Sequence, residues 1–223
     1  MPTDVPRART GRPPRLTYDA IVDAAACILA AEGPQALSMR RLAKELHSAP
    51  MTLYHHVRDK DELLLAVLEK QAAAIPRPRL PEDPRERLVA VATVLCELLA
   101  ERGWIVEVLT ADDLFAPSAL WFVDTMIGAA IECGCTPEGA VDVYRTIWYY
   151  IVGNLIIRVN SARRTSSGAR PFRDEAIARY SAERFPNIAT VAARWAELST
   201  RPSHREALRA IVDGLLAMHA GGR

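Results

Sequence analysis

Apolar residues recur along this chain at helical spacing, and no stretch shows the alternation of a strand. Ile21, Ala24, Ala25, Ile28 and Leu29 share one face behind Thr17, a residue suited to capping a helix start, and Glu32-Gly33-Pro34 supplies the stop. Ser38 caps a second short pattern that carries Leu42, Ala43 and Leu46 on one side. After a four-residue break, His47-Ser48-Ala49-Pro50, a third short pattern runs to about Val57. Asp59 caps a fourth, with Leu63, Leu64, Val67 and Leu68 as its stripe, and Glu62 completes a pattern like a capping box. Pro76, Pro78, Pro81 and Pro84 then interrupt any helix, which marks a connection between domains. Helical patterns resume at 84–101, 103–111, 117–133 and 137–162. A polar segment from Arg163 to Pro171 follows, then patterns near 173–183, 187–199 and 203–219. The predicted fold class is all-α, with a flexible arm over 1–16, a small domain over 17–75 and a larger one over 76–223.

Composition narrows this picture without redirecting it. Half of the 223 residues are apolar and a quarter are charged, as in ordinary soluble domains, and the net charge of +1 is uninformative by itself. Its distribution matters more: Arg7, Arg9, Arg12 and Arg15 face only Asp4, so the arm is basic. The first residues hold no apolar run of the kind a secretory leader needs, and the longest apolar stretch, Ile147 to Ile157, is too short for a membrane span. Cys27, Cys96, Cys133 and Cys135 give no paired zinc-ligand spacing. The expectation is a reduced, cytoplasmic protein with no metal, no cofactor and no membrane contact. An enzyme built on Asp112, Asp113 and nearby Glu residues would need a second acidic cluster or a nucleophile–base pair, and neither is legible. Asp112 and Asp113 also suit a cation or plain solvation at a helix end.

Three short helices with a tight break between the second and third make a helix-turn-helix pattern. That unit needs a small residue where its helices cross, and Ala43 supplies one, with Leu42, Leu46, Leu53 and Val57 to close a small core. The outward face of the third helix is then left with Ser48, Ala49, Pro50, Met51, Thr52, His55 and His56 for a major groove. Thr17, Ser38 and Thr52 stand near helix starts, whose free N–H groups can hold phosphate. Met39, Arg40, Arg41 and Lys60 lie around the same unit. Three amphipathic helices also make a plain bundle, and pattern alone does not separate the two. His55 and His56 are not a metal pair, because adjacent helical side chains point in different directions.

The run Leu37-Ser38-Met39-Arg40-Arg41-Leu42-Ala43-Lys44-Glu45-Leu46, followed by Met51-Thr52-Leu53-Tyr54-His55-His56-Val57-Arg58-Asp59-Lys60-Asp61-Glu62-Leu63-Leu64, resembles the tetracycline-repressor (TetR) family over about residues 17–70. The resemblance implies a ligand-responsive transcriptional regulator, not an enzyme, that binds a double-stranded DNA operator as a homodimer and is released by a small-molecule effector. It implies phosphate or base contacts at Thr52 and Tyr54, with His55 beside them. It also implies a phosphate anchor at Lys60, DNA contact near Arg40, and a backbone or minor-groove role for the arm with Arg12 and Arg15. One departure stands out: His47 occupies a turn position where many members carry Gly, so a His would have to adopt a left-handed backbone.

In that family the C-terminal half binds the inducer and its last helices build the dimer. The long pattern over 137–162 and the later Phe185-Pro186 stretch look like the tetracycline-repressor branch. Residues 147–157 are apolar nearly all round, so they need neighbours on several sides: a partner subunit, or the middle of a bundle. Gly153 would let a helix approach closely. Leu208, Ile211, Val212, Leu215 and Leu216 mark the other candidate interface. Trp104, Phe115, Trp121, Met126, Trp148 and Asn154 are the expected pocket set, although aromatic residues of this kind also serve as plain core.

Overall fold

The computed structural model describes residues 16–111, 114–166, 176–177, 183–200 and 203–219. The basic arm with Arg12 and Arg15, the Asp112-Asp113 pair and most of the 163–171 and 173–183 segments lie outside the described residues. Among the described residues all regular structure is helical. The chain forms two compact units that divide between Val67 and Leu68.

In the first unit α1 spans Tyr18–Glu32, α2 Met39–Glu45 and α3 Pro50–Tyr54. The helix α4, Lys60–Ala73, begins here and runs on into the second unit. Thr17 caps α1 by accepting a hydrogen bond from the Ala20 N–H, and Gly33, at φ 82°, turns the chain out of it. Ser38 caps α2 through the Arg41 N–H at 3.1 Å. Asp59 accepts from the Glu62 N–H at 2.8 Å, but Glu62 reaches back to the Arg58 N–H, one residue upstream of the capping-box position. Ile21, Leu29, Leu42, Leu53, Leu63 and Val67 are fully buried, and Ala43 is buried where α2 meets α3. Each such leucine contributes roughly 1.5–3 kcal/mol by leaving water.

The turn after α2 carries a strained backbone. His47 has φ 48° and is the sole non-glycine residue with positive φ among the described residues. Its N–H donates to the Lys44 carbonyl at 3.2 Å, and the Ser48 N–H donates to the Ala43 carbonyl at 2.9 Å. This pair of bonds is the Schellman closure, which favours glycine at the left-handed position. The same closure recurs in the second unit, where Gly134 takes φ 96° and the Cys135 N–H reaches the Ala130 carbonyl at 3.1 Å.

The second unit comprises α5 (Pro84–Glu101), α6 (Gly103–Ala111), α7 (Leu120–Glu132), α8 (Pro137–Ser166), α9 (Pro186–Ala189), α10 (Trp195–Thr200) and α11 (His204–His219), with the end of α4. Short 3-10 turns occupy Pro117–Ala119 and Ala192–Arg194. The sequence pattern runs 187–199 together, whereas the chain breaks there. The Thr190 hydroxyl donates back to the Asn187 carbonyl at 2.8 Å and Val191 leaves the helix at φ −118°. The core lies where α5 packs on α7 and α11 and where α8 packs on α6, α7 and α11. Leu88, Val91, Met126, Val143, Ile147, Ile151, Leu208 and Val212 fill it. At its rim Arg209 holds Glu86 through both guanidinium nitrogens (2.5 and 2.6 Å), and Arg85 pairs with Asp213 at 2.6 Å.

Replacing His47 tests the strain directly. His47→Gly is expected to raise the stability of the first unit by about 0.5–1 kcal/mol, since a left-handed L-residue costs more than the added chain entropy of glycine. His47→Val is expected to lower it. Thermal unfolding followed by circular dichroism reads both, and a destabilising glycine would mean that the imidazole makes a compensating interaction.

Candidate nucleic-acid interface and ligand cavity

The helix-turn-helix leaves one face of α3 uncovered. Pro50 stands at the first helical position, where the missing N–H costs nothing, and Ala49 precedes it in extended backbone. Met51 is 71% exposed and Tyr54 47% exposed, large values for such side chains, while Leu53 between them is fully buried. Ala49, Pro50 and His55 are exposed, and Thr52 and His56 are half-buried. Thr17, Ser38 and Arg40 are exposed and Met39 is half-buried, so the starts of α1 and α2 are open to solvent.

The two adjacent arginines of α2 have different fates. Arg41 is held by Glu32 at 2.8 Å and by Glu45 at 2.5 Å, and these carboxylates raise its pKa further. Its charge is therefore spent inside the unit, whereas Arg40 at the start of that helix and Lys44 near its end are exposed cations. Lys60 is half-buried at the start of α4, where its ammonium donates to the Pro34 carbonyl at 3.3 Å and keeps further N–H donors for another acceptor.

The second unit contains a cavity of about 300 Å³. Its wall is formed by Leu68, Gln71 and Ala72 of α4, Leu95, Leu98 and Leu99 of α5, the Arg102 corner, Ile105 and Leu109 of α6, residues 114–116, Phe122 and Val123 of α7, and Tyr144 and Trp148 of α8. Of the residues expected to line a pocket, Phe115 and Trp148 do so. Trp121, Met126, Trp104 and Asn154 are not in the wall. Trp121 stacks on the cavity residue Phe122 at 3.7 Å between ring centroids and lies under the Arg77 guanidinium. Met126 is fully buried in the core, Trp104 is buried in α6, and the Asn154 Oδ1 is buried without a hydrogen-bond partner. Gln71, Arg102 and Tyr144 are wall residues that sequence reasoning missed. Only Tyr144 left a trace, one helical turn before Trp148.

A carboxylate ties one side of this wall to another. Glu69 of α4 accepts from the Ser118 N–H at 3.0 Å and also from the Ser118 hydroxyl, beside the cavity residues Ala116 and Ala119. These two donors hold its carboxyl below the ordinary value of 4.5.

With this geometry in view, the molecule is a helix-turn-helix unit followed by a helical unit with an apolar cavity. The profile of bacterial regulatory proteins of the tetR family matches residues 21–67, and that of the tetracyclin repressor-like C-terminal domain matches residues 77–219. The chain belongs to the TetR family of helix-turn-helix transcriptional regulators. It is 33% identical over 149 residues to the HTH-type transcriptional repressor DrrR1 of Streptomyces coeruleorubidus, a match that spans 66% of this chain and 55% of that protein. An HTH-type transcriptional regulator of Saccharopolyspora erythraea is 28% identical over 67% of this chain and 64% of its own length. The match thus spans a little over half to just under two thirds of these relatives. Among solved structures, the TetR family protein ActR of Streptomyces coelicolor in complex with (S)-DNPA is similar with a TM-score of 0.72 at 26% identity, covering 91% of this chain and 98% of that one. No helix among the described residues is long and apolar enough to cross a membrane.

The Glu69–Ser118 link makes a pH prediction. A carboxyl held below its ordinary value contributes stability in full above about pH 4.5, and that contribution is lost as pH falls through the lowered value. Ser118→Ala is therefore expected to lower the thermal midpoint at neutral pH and to converge with wild type in acid. An equal deficit at every pH would assign the effect to packing instead.

Proposed function

We propose that this regulator is a repressor that binds a palindromic DNA operator as a homodimer and lets go when a small molecule enters the cavity. The observation that carries the reading is the pairing, in one chain, of an uncovered α3 face with an apolar cavity in the following unit. Thr17, Ser38, Met39, Arg40, Ala49, Pro50, Met51, Thr52, Tyr54, His55, His56 and Lys60 form the proposed DNA surface, joined by Arg12 and Arg15 of the arm. Phosphate is met by Tyr54, Lys60, Arg40 and the open helix starts, and base edges by the small side chains and Met51. The small molecule occupies the cavity walled by Phe115 and Trp148. Trp121 backs that wall from behind Phe122.

Bare apolar positions on α8 and α11 support the dimer. Tyr149, Gly153 and Ile157 recur every four residues on α8, so they share one face. Tyr149 and Ile157 are 64% and 62% exposed, and a side chain at Gly153 would meet nothing within 4 Å. On α11, Gly214 is equally open and Met218 is 64% exposed. An apolar helix face left bare in this way suits a second copy. The helix α4 carries Lys60 at its start and the cavity residues Leu68, Gln71 and Ala72 towards its end, which offers a route for coupling. Ligand must favour one arrangement of that helix over another to shift DNA affinity.

Gel shift of the full chain on its own upstream DNA, across a salt series, tests the reading. Wild type is expected to bind saturably and to weaken steeply with salt, because phosphate contacts release counterions. Tyr54→Ala is expected to weaken binding about tenfold or more, as loss of a charge-assisted contact does. Salt-independent binding, or no specific site in a genome-wide DNA selection, would sink the DNA-reading assignment. Tyr149→Glu is expected to give a monomer by light scattering; an intact dimer would move the interface elsewhere.

A further inference from the structure

The cavity is apolar over most of its wall, yet among its described lining residues one, Arg102, carries a formal charge. Gln71, Tyr144 and Trp148 add neutral hydrogen-bonding groups. Burial pushes the Tyr144 phenol above its ordinary value, so it remains protonated and able to donate. No carboxylate stands among the described lining residues to balance the guanidinium from inside.

Arg102 is held in place by its backbone. Its N–H donates to the Leu99 carbonyl at 3.2 Å, ending α5, and its carbonyl accepts from the Ile105 N–H at 2.8 Å, starting α6. The next residue, Gly103, lies hard against α8: a Cβ there would fall 2.8 Å from Val159 Cγ2. The corner that presents the guanidinium is thus anchored on both sides. The Glu101 carboxylate beside it is 3.6 Å away and 70% exposed, too far for a charge-assisted hydrogen bond.

A cation at the edge of an apolar wall selects by charge. The Arg102 side chain is 39% exposed, so water screens part of its field, while the apolar wall on its other side leaves the rest acting on a guest. A cationic guest meets like charge, a neutral guest leaves the guanidinium with only the distant Glu101 and water, and an anionic guest gives it a close partner. A planar guanidinium matches two oxygens of one acidic group, and the rings of Trp148, Phe115 and Phe122 offer flat apolar surface nearby. We propose that the ligand of this cavity is an organic anion with an aromatic body and a single acidic group, the acidic group held by Arg102. This rests on the reading of the cavity as the effector site.

Two fluorescent probes of one ring skeleton test it on the full-length protein: anilinonaphthalene sulfonate, an anion, and its uncharged parent phenylnaphthylamine. Both brighten on entering an apolar site, so titration gives each affinity. Wild type is expected to bind the sulfonate about tenfold more tightly than the parent, the factor that one charge-assisted hydrogen bond supplies. Arg102→Gln is expected to bring the two affinities together by weakening the anion alone, while Arg102→Lys keeps part of the preference. Ala119→Phe, which places a ring in the cavity, is expected to weaken both probes. Equal affinities in wild type, or a preference that survives Arg102→Gln, with both probes still sensitive to Ala119→Phe, would overturn the anion proposal and leave the effector site standing. Failure of both probes to bind, or binding indifferent to Ala119→Phe, would overturn the effector-site reading itself.

Discussion

The carbonyls at the end of α2 need donors, and the way they find them decides where α3 can go. The chain answers by reversing at His47, so that two successive N–H groups fold back onto Lys44 and Ala43. Only a left-handed residue permits that reversal, and the sequence places an imidazole where glycine would relax the backbone. Because Ser48 is tied to Ala43, the following Ala49-Pro50 step can start α3 at once, with Leu53 directed into the core and Met51 and Tyr54 outward. The uncovered face of α3 is thus a by-product of how one short helix stops.

The second unit solves a different problem. A helix of thirty residues, α8, is apolar over much of its surface and must be covered from several directions. Its buried line of Val143, Ile147, Ile151 and Leu155 is met by α5, α7, α6 and α11. Tyr144 and Trp148, one step round from that line, face the cavity instead. The cavity lies where the core stops being filled, bounded by the ends of several elements: the last turn of α4, the α5–α6 corner and the turn before α7. Glu69 and Ser118 hold two of those edges together.

Much of this was legible along the chain, for identifiable reasons. Caps and stops are local chemistry, so Thr17, Ser38, Asp59 and Gly33 announced the ends of the first helices. The left-handed His47 followed from a family resemblance combined with steric rules. The cavity wall was less legible because it is assembled from distant turns. Aromatic residues were the available sign, and they cannot say which side of a helix meets a void and which meets a neighbour. Trp121 and Phe122 are adjacent in sequence, yet Phe122 lines the cavity and Trp121 stacks behind it. Arg102 falls between the 84–101 and 103–111 patterns, and nothing in the spacing marks that corner as facing a void. Nor could spacing tell that Arg41 would be neutralised by Glu32, nine residues upstream, while Arg40 stayed free of those carboxylates.

The bare face of α8, with Tyr149 and Ile157 on either side of an open Gly153, also bears on abundance. Under the proposed pairing, those side chains leave water only when two copies meet, so part of the folding free energy is supplied by association. Stability then rises with the number of copies in the cell. Newly made chains at low copy number would be the most open to proteolysis, and a falling population would become progressively easier to clear.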